Sequence, residues 1–151
     1  MKRVLIVFGL ILAFAMVSNT TVFGQTAEKK AVVEVFYSHS TNRCPGCMAI
    51  EKETAATLDQ TFKKQLESGE IKFTIVNIDL KVNKKLVDEY ELWGSSLFIV
   101  KNGDKKNMVD LTKEGFASAR TKPEVFRTKL TDTLNEMLKK KKKERLKFFT
   151  S

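Results

Sequence analysis

Apolar residues fall into short runs at some places along the chain and at helical spacing at others. Val32-Val33-Glu34-Val35-Phe36-Tyr37 is β-branched and aromatic and predicts a buried strand. Ser38 to Arg43 is polar and reads as a loop. Beyond Cys44-Pro45-Gly46-Cys47, the residues Met48, Ile50, Ala55, Leu58, Phe62 and Leu66 recur at helix-like intervals, and Gly69 ends that helix. Ile71 to Asp79 alternates with period two, which predicts a second strand. Asn83 is placed to cap a helix in which Leu86, Val87 and Tyr90 share a face. Leu97-Phe98-Ile99-Val100 is a third strand, Asn102-Gly103 a hairpin turn, and Met108 to Leu111 the returning fourth strand. Pro123 suits the first turn of a last helix whose stripe is Val125, Phe126, Leu130, Leu134, Met137 and Leu138.

The predicted order is β-α-β-α-β-β-α, an α/β chain with a four-stranded mixed sheet flanked by helices. A helix joins the first two strands, so they should be parallel with a right-handed crossover. The hairpin adds antiparallel strands, and helices must cover both faces. The Cys pair falls where the first strand ends and its helix begins. Ligand sites of open α/β sheets favour that carboxyl-end edge.

The amino-terminal pattern is different. Lys2 and Arg3 precede Val4–Val17, an uncharged run of 14 residues, and Ser18-Asn19-Thr20-Thr21 breaks it. Charged start, short apolar run and small-residue exit form a secretory signal. Val22-Phe23-Gly24 is the favoured exit, which makes 1–24 the signal peptide and Gln25 the first mature residue; Ala13-Phe14-Ala15 is a second candidate. The run is shorter than the ~18 residues of a membrane span, so an uncleaved anchor is the lesser alternative. Export, with a periplasmic location, puts the remainder in an oxidising space where a Cys pair is oxidised or redox-active.

Charge alters the picture once it is located. The chain of 151 residues has a formal net charge of +9. Lys139–Lys147 carries seven bases against Glu144, whereas 25–138 carries 18 bases against 17 acids. The body is near neutral, so no nucleic-acid partner is expected. The tail, 139–151, reads as a solvated helix end; weak contact of Lys139–Lys147 with an anionic membrane surface is the alternative. The domain proper is then 25–138. Two Cys and one His exclude a four-ligand Cys/His zinc site within one chain, and no metal or other cofactor is expected.

Cys44 and Cys47 carry the candidate chemistry. Their spacing lets one thiol attack a mixed disulfide on the other. Cys44 at a helix start meets free N–H groups and the positive end of the helix dipole, which lowers a thiol pKa from its free value of ~8.5. Pro45 fits the first helical position, and Arg43 adds positive charge. Cys47, one turn inside, should be the protected partner. Cys44 is therefore the expected nucleophile and Cys47 the resolving thiol. A structural disulfide gains little from so short a loop. His39 is a candidate for tuning Cys44, although a lone loop His is more often simply exposed. Tyr90 and Trp93 flank Gly94-Ser95-Ser96 and are expected to pack in the core or a hinge, with a substrate-facing aromatic as the alternative.

With Val32–Tyr37 leading into Cys44-Pro45-Gly46-Cys47, and with Asp79, Asn83–Leu86, Tyr90, Leu97–Val100 and Lys101-Asn102-Gly103 behind it, the chain resembles the thioredoxin-like superfamily over about 31–138. The resemblance implies an exported reductase, oxidase or isomerase that exchanges disulfides with protein thiols or disulfides, and a partner that recycles it. The competing reading is a non-catalytic module binding a metal or a protein partner through the Cys pair. The family's cis-proline position falls on Ser95. A cis bond before a non-proline residue costs ~2.5–4 kcal/mol, so the bond is either trans or held strained by the fold. The position of the family's buried first-strand acid falls on Val35, with Glu34 pointing to the opposite face. Arg43 stands where the family has Trp, the loop Ser38–Arg43 is longer, and the family's leading strand and helix have no counterpart.

Overall fold

A computed structural model of the chain describes the backbone of residues 31–149 and the side chains of 31–139. The segment 1–24, expected from the sequence to be a signal peptide, and the tail side chains beyond Lys139 lie outside the described residues. The central strand is β1 (Val33–His39), seven residues whose interior is almost wholly buried, as a β-branched and aromatic run requires. It continues through Ser38 and His39, two residues the sequence assigns to the loop. Helix α1 (Pro45–Thr61) follows, then a short α2 (Lys63–Glu67). The sequence predicts one unbroken helix here. The break falls at Phe62, which leaves helical geometry at φ −121°, ψ 22° and buries its ring in the core.

Strand β2 (Ile71–Asn77) pairs parallel with β1. A 3-10 turn (Lys81–Asn83) then leads into α3 (Lys84–Tyr90). Asn83 does not cap α3 through its side chain, as expected from sequence; its Nδ2 donates instead to Asn77 O at 2.8 Å, tying the turn to the end of β2. Strands β3 (Ser96–Lys101) and β4 (Asp104–Asp110) form the antiparallel hairpin, with Asn102 and Gly103 at φ 55° and 69° in the two-residue turn their sequence predicts. β4 starts four residues before its predicted beginning. It is an exposed edge strand, and Asp104, Lys105, Lys106 and Asp110 guard it against pairing with other chains. A helix absent from the predicted order, α4 (Thr112–Ser118), precedes α5 (Pro123–Phe149), whose backbone continues through the basic segment. Among the described residues no helix is long and apolar enough to cross a membrane.

The sheet order is β2-β1-β3-β4. One face packs Val33, Val35, Tyr37, Leu97 and Ile99 against Ile50 and Leu58 of α1 and Phe126, Leu130 and Leu134 of α5. The other packs Phe36, Phe98 and Val100 against Leu86, Val87 and Tyr90 of α3. Tyr90 lies 5.1 Å from Phe36 and 5.2 Å from Phe98, ring to ring, so its expected packing role is met. This is the α/β architecture that the sequence predicts, with a mixed four-stranded sheet between helices and the Cys pair at the exit of the central parallel strand.

Three apolar residues leave the predicted core. Val125 is 59% exposed, Met48 is 51% exposed, and Ala55 faces solvent; Thr54 and Thr57 take the buried positions on α1. Glu53 is buried as well and receives Arg127 Nε and Nη2 at 2.6 Å, a bond that joins α1 to α5.

Helix α4 packs on α1 through Gly115. A Cβ there would lie 3.1 Å from both Cδ1 and Cγ1 of Ile50, a fully buried branched side chain with nowhere to move. Gly115→Ala gains helix propensity but overpacks this contact. We expect a net loss of about 1 kcal/mol, read from the denaturant midpoint, and recovery of most of it when Ile50→Val is added.

Candidate functional site

Cys44 is the N-cap of α1, with extended backbone at φ −78°, ψ 159°. Its carbonyl accepts the first helical bond from Met48 N at 3.0 Å, and its Sγ accepts Cys47 N–H, also at 3.0 Å. A sulfur in this position does what a Ser or Asp oxygen does at other helix starts: it satisfies a donor that the helix itself leaves free. Pro45 occupies the first turn, where its missing N–H costs nothing. No acidic residue stands in that turn to oppose a negative sulfur. Cys44 and Pro45 are exposed and Cys47 is buried at 7% exposure. The two cysteines are disulfide-bonded, with Cα atoms 5.1 Å apart.

Beneath the pair lies Tyr37, fully buried at the end of β1, whose hydroxyl donates to Cys47 O at 2.6 Å. Burial raises the Tyr37 pKa above its ordinary value, with partial relief from hydrogen bonds to Arg43 and Ser95, so the phenol remains a donor at neutral pH. Val35 shares this face, and Glu34 sits on the other, so the polar group under Cys47 is the Tyr37 phenol and no first-strand acid reaches it. Sequence reasoning saw Tyr37 only as a strand residue. The signal available was its place two residues after Val35 on the same face of β1.

Arg43 precedes Cys44, but its guanidinium turns inward. It pairs with Glu51 on the next turns of α1 and lies 5.8 Å from the centre of the Tyr37 ring. Partial burial pulls the Arg43 pKa down; the bonds to Tyr37 and Glu51 outweigh this and leave it above its usual value. Its charge is thus compensated by Glu51, and it braces the start of α1 against β1.

His39 is half-buried at the end of β1 and not in a loop. Its ring packs on Tyr37 at 5.9 Å, and its Nδ1 bonds Ser40 O at 2.8 Å. A carbonyl partner makes Nδ1 the protonated nitrogen. The loop that follows is pinned to the end of β2. Asp79 accepts Thr41 N–H at 2.7 Å, Asn77 Nδ2 donates to Thr41 Oγ1 at 3.3 Å, and Ile78 N–H donates to His39 O at 2.9 Å. The backbone and side-chain bonds from Thr41 hold the Asp79 carboxyl below its ordinary pKa. A depressed carboxylate supports the fold above its unfolded pKa and loses that support as pH falls through the folded one. The loop is therefore fully anchored at neutral pH.

Ser95 bonds the Tyr37 hydroxyl and has a trans bond before it; among the described residues no peptide bond is cis. Ser38, wholly buried, fixes this corner. Its hydroxyl donates to Gly94 O at 2.8 Å and accepts Ser96 N–H at 3.1 Å. Trp93, expected in the core or a hinge, is 92% exposed beside the same corner, because only Leu92 of that loop turns in toward the α3 layer. Helix α4 adds the last member. Phe116, half-exposed, lies over Gly46 between the two cysteines, where an added Cβ would sit 3.4 Å from its Cδ1. The fold thus gathers Cys44, Cys47, Pro45, Arg43, His39 and Ser95 at one sheet edge, and adds Tyr37, Ser38 and Phe116. No group of three or more His, Cys, Asp or Glu side chains suited to a metal occurs among the described residues.

The fold places a disulfide-bonded Cys pair in C-x-x-C spacing at the start of a helix that follows the central strand. No protein-family model matches the chain, and no curated protein matches it. Among solved structures it is similar to Trxlp from Edwardsiella tarda EIB202, at 16% identity and a TM-score of 0.46 over 68% of this chain and 85% of that one. It is also similar to a malarial protein, at 16% identity and a TM-score of 0.42 over 72% of this chain and 96% of that one.

Proposed function

We propose that this protein is an exported thiol–disulfide oxidoreductase that exchanges disulfides with polypeptide substrates. The observation that carries the reading is the asymmetry of the pair: an exposed Cys44 sulfur capped by the Cys47 amide at a helix start, and a buried Cys47 behind it. In the oxidised form a substrate thiolate attacks Cys44 Sγ. A substrate–Cys44 disulfide forms, the Cys44–Cys47 bond breaks, and Cys47 leaves as a thiolate. A second substrate thiolate attacks the substrate sulfur, Cys44 leaves, and two electrons have passed from the substrate dithiol to the Cys pair. The reverse sequence reduces a substrate disulfide: Cys44 attacks and Cys47 resolves. Stabilising the Cys44 thiolate favours the dithiol form and moves the couple toward oxidising its substrates. Export is supported by the amino-terminal pattern of charge, apolar run and polar exit.

The test is insulin reduction by the purified protein with dithiothreitol as electron donor. The wild type should accelerate precipitation of the insulin B chain well above dithiothreitol alone. Cys44→Ser should fall to that background. Equal rates for both proteins would overturn the proposal.

A further inference from the structure

We infer that Phe116 is a specificity-determining residue of this site, selecting substrate cysteines that have an apolar neighbour; the inference rests on the exchange reading above. The point where a Cβ at residue 46 would sit lies 3.4 and 3.5 Å from Cδ1 and Cε1 of Phe116 and 3.7 Å from Cys44 Sγ. The ring edge and the reactive sulfur therefore border the same space, which Gly46 leaves open by having no side chain. Phe116 keeps 47% of its surface exposed although α4 is packed firmly on α1 through Gly115. The ring is thus held in place from below and free above. Met48, four residues after Cys44 and 51% exposed, lies on the same side of α1 as Cys44. A substrate sulfur reaching Cys44 passes beside the Phe116 ring, which loses water when an apolar side chain lies against it. The neighbouring cation Arg43 is engaged by Glu51, so the flank of the sulfur favours apolar contact over charge.

The experiment uses the reduced protein and three disulfides: hydroxyethyl disulfide, a symmetric disulfide of a short peptide with Leu on both sides of its Cys, and the same peptide with Ser in place of Leu. Second-order rates are measured for the wild type, Phe116→Ala and Phe116→Gln. The wild type should favour the Leu peptide about tenfold, the usual discrimination of a modest apolar contact. Both variants should reduce that ratio to about twofold or less, with the loss falling on the Leu peptide. Thermal melting identifies a variant that has failed to fold, and the other then carries the test. A wild type with no preference, or a folded variant that keeps it, overturns the role of Phe116 and leaves the exchange reading intact. A wild type inert toward hydroxyethyl disulfide overturns both.

Discussion

Cys47→Ser is expected to stop turnover and to accumulate a covalent adduct. The reduced variant retains Cys44 at the helix start, still accepting the amide of residue 47, so the first attack on insulin proceeds. The mixed disulfide then has no resolving sulfur. Ser cannot form the intramolecular bond, and release waits for an external thiol. Insulin reduction should fall by at least about a hundredfold, in line with loss of a nucleophile positioned for intramolecular attack. A non-reducing gel should show a band at the combined mass of protein and insulin chain, absent with Cys44→Ser. The two variants separate the roles of the cysteines: one traps and the other does not. Trapping by Cys44→Ser instead would assign the attack to Cys47, against its 7% exposure.

The second large effect concerns the floor of the site. Tyr37→Ala should destabilise the protein by about 3–5 kcal/mol, the range for emptying a fully buried aromatic position. It removes a ring packed in the main core cluster, the hydrogen bond to Cys47 O and the surface on which Arg43 and His39 rest. Tyr37→Phe keeps the ring and should cost only about 1 kcal/mol, since Cys47 O remains a helix acceptor. Urea denaturation of the oxidised proteins measures both. If the two variants were equally stable, the ring would not be the element that supports the pair.

The strands, the parallel crossover and the hairpin turn were legible in the sequence because each is a local pattern. β1 is a β-branched run, β2 alternates, and Asn102-Gly103 supplies the left-handed turn. The Cys pair was legible for the same reason, as four residues at a strand-to-helix junction. What was not legible depends on contacts between distant segments. Helix α4 is seven residues long with a glycine at its centre, a weak helix on propensity alone. It forms because Gly115 lets it lie on Ile50, and because Leu111 and Ala119, four residues to either side, are buried. That spacing of four was the signal available. Without α4, Phe116 had no place at the site. The inward turn of Arg43 was hidden likewise, since it depends on Glu51 and Tyr37 converging from two elements. Ser38, which the sequence pattern assigns to a polar loop, is instead the buried staple of the Ser95 corner.

The claim that all of this rests on is that the start of α1 holds Cys44 as a thiolate. Its direct measurement is the pH dependence of iodoacetamide alkylation of the reduced protein, with each cysteine followed by mass spectrometry. Cys44 should titrate at least about one pH unit below the ~8.5 of a free thiol, and Cys47 should stay largely unreacted across the same range. A Cys44 midpoint at or above the free value, with both thiols alkylated at similar rates, would contradict the account.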